Sequence, residues 1–212
     1  DLDHRVIGLV WAGSAAERTR LDEWSDVDFF LIVHDEFAES MRNNLDWLPA
    51  AETIAFAARE TEHGLKVVYE NALVLEFAVF TRAEIQLAKL NAHELALDKA
   101  GLSADVANIV VSNHAEGLNL ERELGLLFGT LVIALGRARR GETLIASRMI
   151  KTAASDILIR CVHSKLPSEN PTARDNLEPW RRFEIEFPEL ADKLALTHTL
   201  EPEAAGFAIA EL

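Results

Sequence analysis

One tract, residues 6–33, constrains this chain more than any other. Strand-like VIGLVWA runs into Gly13-Ser14, eleven residues intervene, and DVDFFLIV follows from Asp26. Both apolar runs are rich in β-branched and aromatic residues and are bounded by turn or charged residues, so they read as largely buried strands, Arg5 to Trp11 and Asp26 to Val33. On a strand, positions i and i+2 leave the same face. Asp26 and Asp28 therefore project together, while Val27 and Phe29 leave the other side. Two like charges a few ångströms apart raise each other's pKa unless a cation sits between them. In a chain without a Cys/His cluster, hard oxygen ligands of this kind suit Mg2+ better than zinc.

Gly13-Ser14 supplies what the other end of such a site needs. Glycine permits close backbone approach, and a serine hydroxyl with exposed N–H groups at a helix start can hold phosphate oxygens. A third acid stands in Leu73-Val74-Leu75-Glu76-Phe77-Ala78-Val79-Phe80, where one charge interrupts an apolar strand. Burying Glu76 without a partner is costly, so it is expected to meet a cation or a donor. If its strand lies beside Asp26 to Val33, three carboxylates converge. Each piece alone has an ordinary explanation, because Gly-Ser is usually a turn and Asp-x-Asp often a solvated strand end. The ordered conjunction is far more specific than its parts.

Periodicity divides the chain. Before Leu102 the pattern is mixed α/β: Phe37 to Trp47 has helical spacing, and Lys66 to Tyr69 and Leu73 to Phe80 read as strands joined at Glu70-Asn71-Ala72. A last short strand covers Glu94 to Leu97. Beyond it, Ser103 is a candidate N-cap for a helix through Glu116, with Gly117 its stop. Leu120 to Arg140 carries Leu124, Leu127, Phe128, Leu131 and Leu135 at helical spacing. Glu142 to Lys165 repeats the pattern through Leu144, Ile150, Ile157 and Leu158. Gly141 between them predicts an antiparallel hairpin. Leu177 to Leu196 reads as one or two further helices broken near Pro188. The expected architecture is α/β (α+β), a mixed-sheet domain over residues 1–102 followed by a helical bundle over residues 103–212.

Charge narrows the partners. Lys and Arg number 21 against 35 Asp and Glu, a formal charge of −14. The excess sits in front, with 9 bases against 19 acids up to Leu102. Long nucleic acid is disfavoured, since phosphate contacts need a basic surface. The longest apolar stretch, Leu126 to Gly136, is about half of the roughly 20 residues a membrane span needs. The lone Cys161, set in a helical run, reads as a small buried hydrophobe in a reducing compartment. Cytoplasm is the preferred location, although a chain that opens on Asp1 leaves an earlier leader open. Oligomeric state is open as well.

GSAAERTRLDEWSDVDFFLIV resembles the signature of the DNA polymerase beta superfamily of nucleotidyltransferases: Gly-Ser, about ten residues, Asp-x-Asp, and a third acid on a later strand. WSDVDFFLIV, HELALDKAGL and EPWRRFEIEFPELADKL extend the resemblance to lincosamide and aminoglycoside nucleotidyltransferases over most of the chain. The resemblance implies that Asp26 and Asp28 hold two Mg2+ ions, that Glu76 completes the catalytic metal, and that Gly13 and Ser14 contact a nucleoside triphosphate. It also implies a helical half that closes over the acceptor. The third acid is Glu where many relatives have Asp.

In-line transfer of a nucleoside monophosphate needs an activated hydroxyl and a neutralised pyrophosphate, which paired metals supply. ATP is the expected co-substrate and a small hydroxyl compound the acceptor. Arg18 and Arg20 in the loop after Ser14, and Arg148 and Lys151 at i, i+3 on one helical face, are candidate phosphate cations; Arg18 is the one taken from the loop, and Lys151 is preferred overall because relatives place a basic helical residue against the triphosphate. Glu94 is a candidate proton acceptor. Trp24, Trp47, Tyr69 and Trp180 could stack on a ring, though core or rim packing is the commoner role. His34 and His63 show no ligand spacing. Two rival readings remain: a nucleotidyltransferase of the antitoxin kind whose acceptor is a protein, and a catalytically silent nucleotide-binding module.

Overall fold

The computed structural model describes residues 3–109, 117–175 and 177–212. Two compact units divide the chain, Asp1–Val111 and Ser112–Leu212. The first is α/β on a mixed sheet and the second is helical.

The sheet comprises β1 (Val6–Ala12), β2 (Val27–Val33), β3 (Ile54–Arg59), β4 (Gly64–Tyr69), β5 (Val74–Thr81) and β6 (His93–Asp98). Their spatial order is β3-β4-β5-β2-β1-β6. β2 and β5 run parallel, and the other neighbours pair antiparallel. Strand alternation builds two cores. Phe29, Leu31 and Val33 of β2 join Leu75, Phe77 and Val79 of β5 on one face, with Ala38 and Met41 from helix α2 (Asp35–Asn43) in the same core. On the other face Ile32, Val10, Ala78 and Phe80 pack with Ile85 of a 3-10 turn, Glu84–Leu87, and with Leu102 and Val106 around helix α3 (Ser103–Ala107). On that face of β2 Ile32 is buried whereas Phe30 and Asp28 are half-buried, so the acidic end of the strand is the less covered end.

A buried arginine ties these layers. Arg42 of α2 donates from Nε and Nη2 to the Val79 carbonyl at 3.0 and 2.8 Å, and from Nη2 to Glu84 Oε2 at 2.6 Å. The β4–β5 hairpin turns through Ala72 at φ 66°, where a Cβ is disfavoured. Ala72→Gly is therefore expected to stabilise the first unit by about 0.5–1 kcal/mol net of the extra unfolded-chain entropy, read as a higher urea midpoint.

The differences from expectation have local causes. β3 escapes periodicity because three of its six residues are alanine and it pairs only with β4 at the sheet edge. The helix expected over Phe37 to Trp47 ends at Asn43; Leu45 and Trp47 are apolar because they pack under the sheet, not because the helix continues. The helix after Gly101 ends at Ala107, and Ser103 is its first residue, not its cap. Its start is held by the Asp98 carboxylate, which accepts the Leu102 N–H at 2.9 Å. The expected continuation through 110–116 lies outside the described residues.

The second unit contains α4 (Leu120–Arg139), α5 (Thr143–Arg148), α6 (Ser155–Lys165), α7 (Phe183–Glu186), α8 (Pro188–Thr199) and α9 (Pro202–Glu211). α5 and α6 are joined without a break by a π-helical segment, Met149–Ala154. Asn119 caps α4 by accepting the Arg122 N–H at 3.1 Å, and Gly141 makes the turn to α5 at φ 79°. Leu127, Leu131 and Ala134 pack with Ile150, Ile157 and Leu158, as the hairpin requires, and α9 adds Ala205 and Ile209. Phe128 and Leu144 do not join this core; they are 50 % and 89 % exposed. Cys161 is buried, and burial pushes its thiol above the ordinary value. Glu186 is 1 % exposed and accepts from Arg174 Nε at 2.7 Å, so its charge is compensated inside the unit. Among the described residues no helix is long and apolar enough to cross a membrane.

Candidate active site

The site follows from register. Asp28 on β2 stands opposite Ala12 of β1 on one side and Glu76 of β5 on the other, and Glu76 stands opposite Lys66 of β4. Directly paired residues share a face, so these side chains leave the sheet together, at the less buried end of the face whose other end carries Ile32 and Phe80. Asp26 lies immediately before β2 and projects with Asp28. One carboxylate oxygen from each of Asp26, Asp28 and Glu76 lies within 4.8 Å of the other two, and all three residues are half-buried. That spread is close to the about 4.2 Å between opposite oxygen ligands of one Mg2+. Three hard anionic oxygens at such spacing fit a divalent cation by both distance and charge.

The corner after β1 is shaped by these acids. Gly13 opens helix α1 (Gly13–Ala16) at φ 55°, and a Cβ there would sit 2.4 Å from Asp28 Oδ2. The close approach that glycine allows is thus to a carboxylate of the cluster. Ser14 is buried, and its Oγ donates to the Asp26 carbonyl at 3.4 Å, linking the corner to the start of β2.

Lys66 is the residue that sequence reasoning missed. Its Nζ lies 2.6 Å from Glu76 Oε1, and the partner Glu76 was expected to need is this ammonium. Hydrogen bonding to Glu76, reinforced by the negative charge of Glu76, Glu60 and Asp26, pushes the lysine pKa above its ordinary value. A signal was present: reflecting the hairpin about Asn71 sets Lys66 against Glu76.

Other candidates are placed differently. Arg18 pairs with Glu94 at 3.9 Å, and Arg20 pairs with Glu17. Glu94 stands opposite Trp11, one step from the Ala12–Asp28–Glu76 row, so alternation turns it to the other face and away from the acids. Trp47 donates from Nε1 to the Met41 carbonyl and packs on Phe77, and Tyr69 donates to the Pro49 carbonyl; both are core residues. His63 stacks on Phe80 beside Glu84. Trp24 is 86 % exposed, two residues before Asp26. In the second unit, Trp180 donates from Nε1 to Asp156 at 2.6 Å. Lys151 falls in the π segment; burial, reinforced by the Lys151 charge, lowers the His198 pKa.

No protein-family model and no curated protein matches the chain. Among solved structures it is similar to an aminoglycoside 6-adenyltransferase from Bacillus subtilis, at 13 % identity and a TM-score of 0.39, over 99 % of this chain and 81 % of that one. At that distance the side chains of the site, not the likeness, carry any functional argument.

Proposed function

We propose that this chain is a divalent-metal-dependent nucleotidyltransferase that moves a nucleoside monophosphate, AMP from ATP, to a hydroxyl of a small molecule. The observation that carries this reading is the convergence of Asp26, Asp28 and Glu76, one oxygen from each within 4.8 Å of the others. These residues would hold Mg2+, in the two-ion form the sequence resemblance implies, and the metal would supply charge neutralisation on phosphoryl oxygens and a lowered pKa at the acceptor hydroxyl. Gly13 and Ser14 are assigned to the triphosphate beside the acids. Arg18, once released from Glu94, and, as the sequence resemblance implies, Lys151 would be its side-chain cations. Trp24 offers an exposed ring to a base or an acceptor. The acid excess of the chain favours a cationic acceptor by long-range attraction, which suits an aminoglycoside and also admits a lincosamide. Rate enhancement would come mainly from positioning and fixed charge, as in phosphoryl transfer generally.

The deciding experiment is a pyrophosphate-release screen with ATP and Mg2+ over aminoglycosides, lincosamides and other hydroxyl compounds. Release with at least one acceptor, lost on chelation, is expected, with nucleotide label recovered in the small molecule. Label recovered in protein instead would make the acceptor a protein side chain. Magnesium-dependent ATP binding without release across the panel would overturn transfer and leave a nucleotide-binding module.

A further inference from the structure

The acid cluster carries its own cation. Asp26, Asp28 and Glu76 bring three formal negative charges to oxygens within 4.8 Å of one another, and Lys66 Nζ sits 2.6 Å from Glu76 Oε1. The backbone fixes this contact. β5 is held between β2 and β4, so Glu76 faces Asp28 on one flank and Lys66 on the other. Lys66 is 42 % exposed and Glu76 38 % exposed, so water is open to the ammonium, yet it lies against the carboxylate. A half-exposed ion pair of this kind is weak enough to be broken by a stronger cation. It is also close enough to repel one.

We propose that Lys66 is a built-in counter-ion that competes with the divalent metal for Glu76. With the site unloaded, the ammonium screens the three acids and occupies the third carboxylate. When a divalent ion takes that carboxylate, the ammonium must withdraw from Oε1, so metal affinity is set below what three free carboxylates would give. Lys66 is a positioning residue in this scheme, acting on Glu76. The inference rests on the nucleotidyltransferase reading only in requiring that the acids bind metal.

The test is a Mn2+ titration of the full chain without nucleotide, with free Mn2+ read by electron paramagnetic resonance. Lys66→Met and Lys66→Gln are expected to bind about tenfold tighter than wild type, the order of Coulomb repulsion between an ammonium and a divalent ion across a partly exposed site. Lys66→Arg keeps the charge and is expected to bind like wild type. Without metal, the two neutral variants should melt lower than wild type, and added Mn2+ should raise their melting temperature by more. The partial exposure of position 66 favours folding of both neutral variants, and either one suffices. Equal or weaker Mn2+ binding by the neutral variants would overturn the proposal, as would tightening by Lys66→Arg to the same extent. Asp28→Asn separates this failure from a larger one. If it binds Mn2+ as wild type does, the acids are not a metal site and the proposed function falls too. If it loses Mn2+ while neutral variants at position 66 gain nothing, only the counter-ion idea falls.

Discussion

Asp28→Asn is expected to reduce nucleotidyl transfer by at least about a thousandfold while leaving the protein folded, with a melting temperature within a few degrees of wild type. The two halves of this result have one cause. Asp28 is the central member of the acid row, flanked by Ala12 of β1 and Glu76 of β5. Its carboxylate has an oxygen within 4.8 Å of oxygens of Asp26 and Glu76, so it stands among like charges. Asparagine keeps the shape and removes the charge. An amide at the same place can still donate or accept a hydrogen bond, so the fold is expected to survive the substitution. Chemistry loses one of three ligands and part of the charge that would hold a metal against a triphosphate, and stabilisation of that kind is worth several kcal/mol in the transition state. Paired measurements of pyrophosphate release and thermal unfolding check both halves. A lower melting temperature together with retained turnover would mean that the cluster is structural.

The site was legible in the sequence as far as strand alternation reaches. Asp26 and Asp28 share a face because they are two apart, and an isolated Glu76 in an apolar strand announces a partner. What alternation cannot supply is adjacency. β2 and β5 are separated in sequence by a helix and a hairpin, so their parallel pairing is a long-range outcome that no local pattern encodes. Lys66 lay nearer to hand, since a turn centred on Asn71 fixes its register against Glu76. Glu94 is set apart from the acids by something no local pattern shows: the pairing of β1 with β6 shifts between Leu9 and Val10, which decides the face that Glu94 takes. In the helical unit, α4 carries apolar residues on nearly every side, including exposed Leu126, Phe128, Val132 and Ile133. Periodicity finds such a helix but cannot choose the face it buries.

Gly13→Ala should damage stability and metal binding together, and Gly101→Ala supplies the control that separates the two effects. Both glycines have positive φ, 55° at Gly13 and 71° at Gly101, so a side chain at either position costs about 1–2 kcal/mol of backbone strain. Their surroundings differ. A Cβ at Gly101 meets no described atom within 4 Å, whereas one at Gly13 would lie 2.4 Å from Asp28 Oδ2 and 3.3 Å from its Cγ. The carboxylate must then rotate away, and the oxygen that shares space with Asp26 and Glu76 is displaced. Gly101→Ala is accordingly expected to lower the unfolding free energy of the first unit while Mn2+ affinity and turnover stay at the wild-type level. Gly13→Ala should lose at least as much stability, weaken Mn2+ binding at least about tenfold, and lose most turnover, because an active site tolerates little displacement of a group that must be positioned. Matching Mn2+ affinities in the two variants would show that the glycine corner serves only the turn. Selective loss at Gly13 would tie the absence of its side chain to the placement of Asp28.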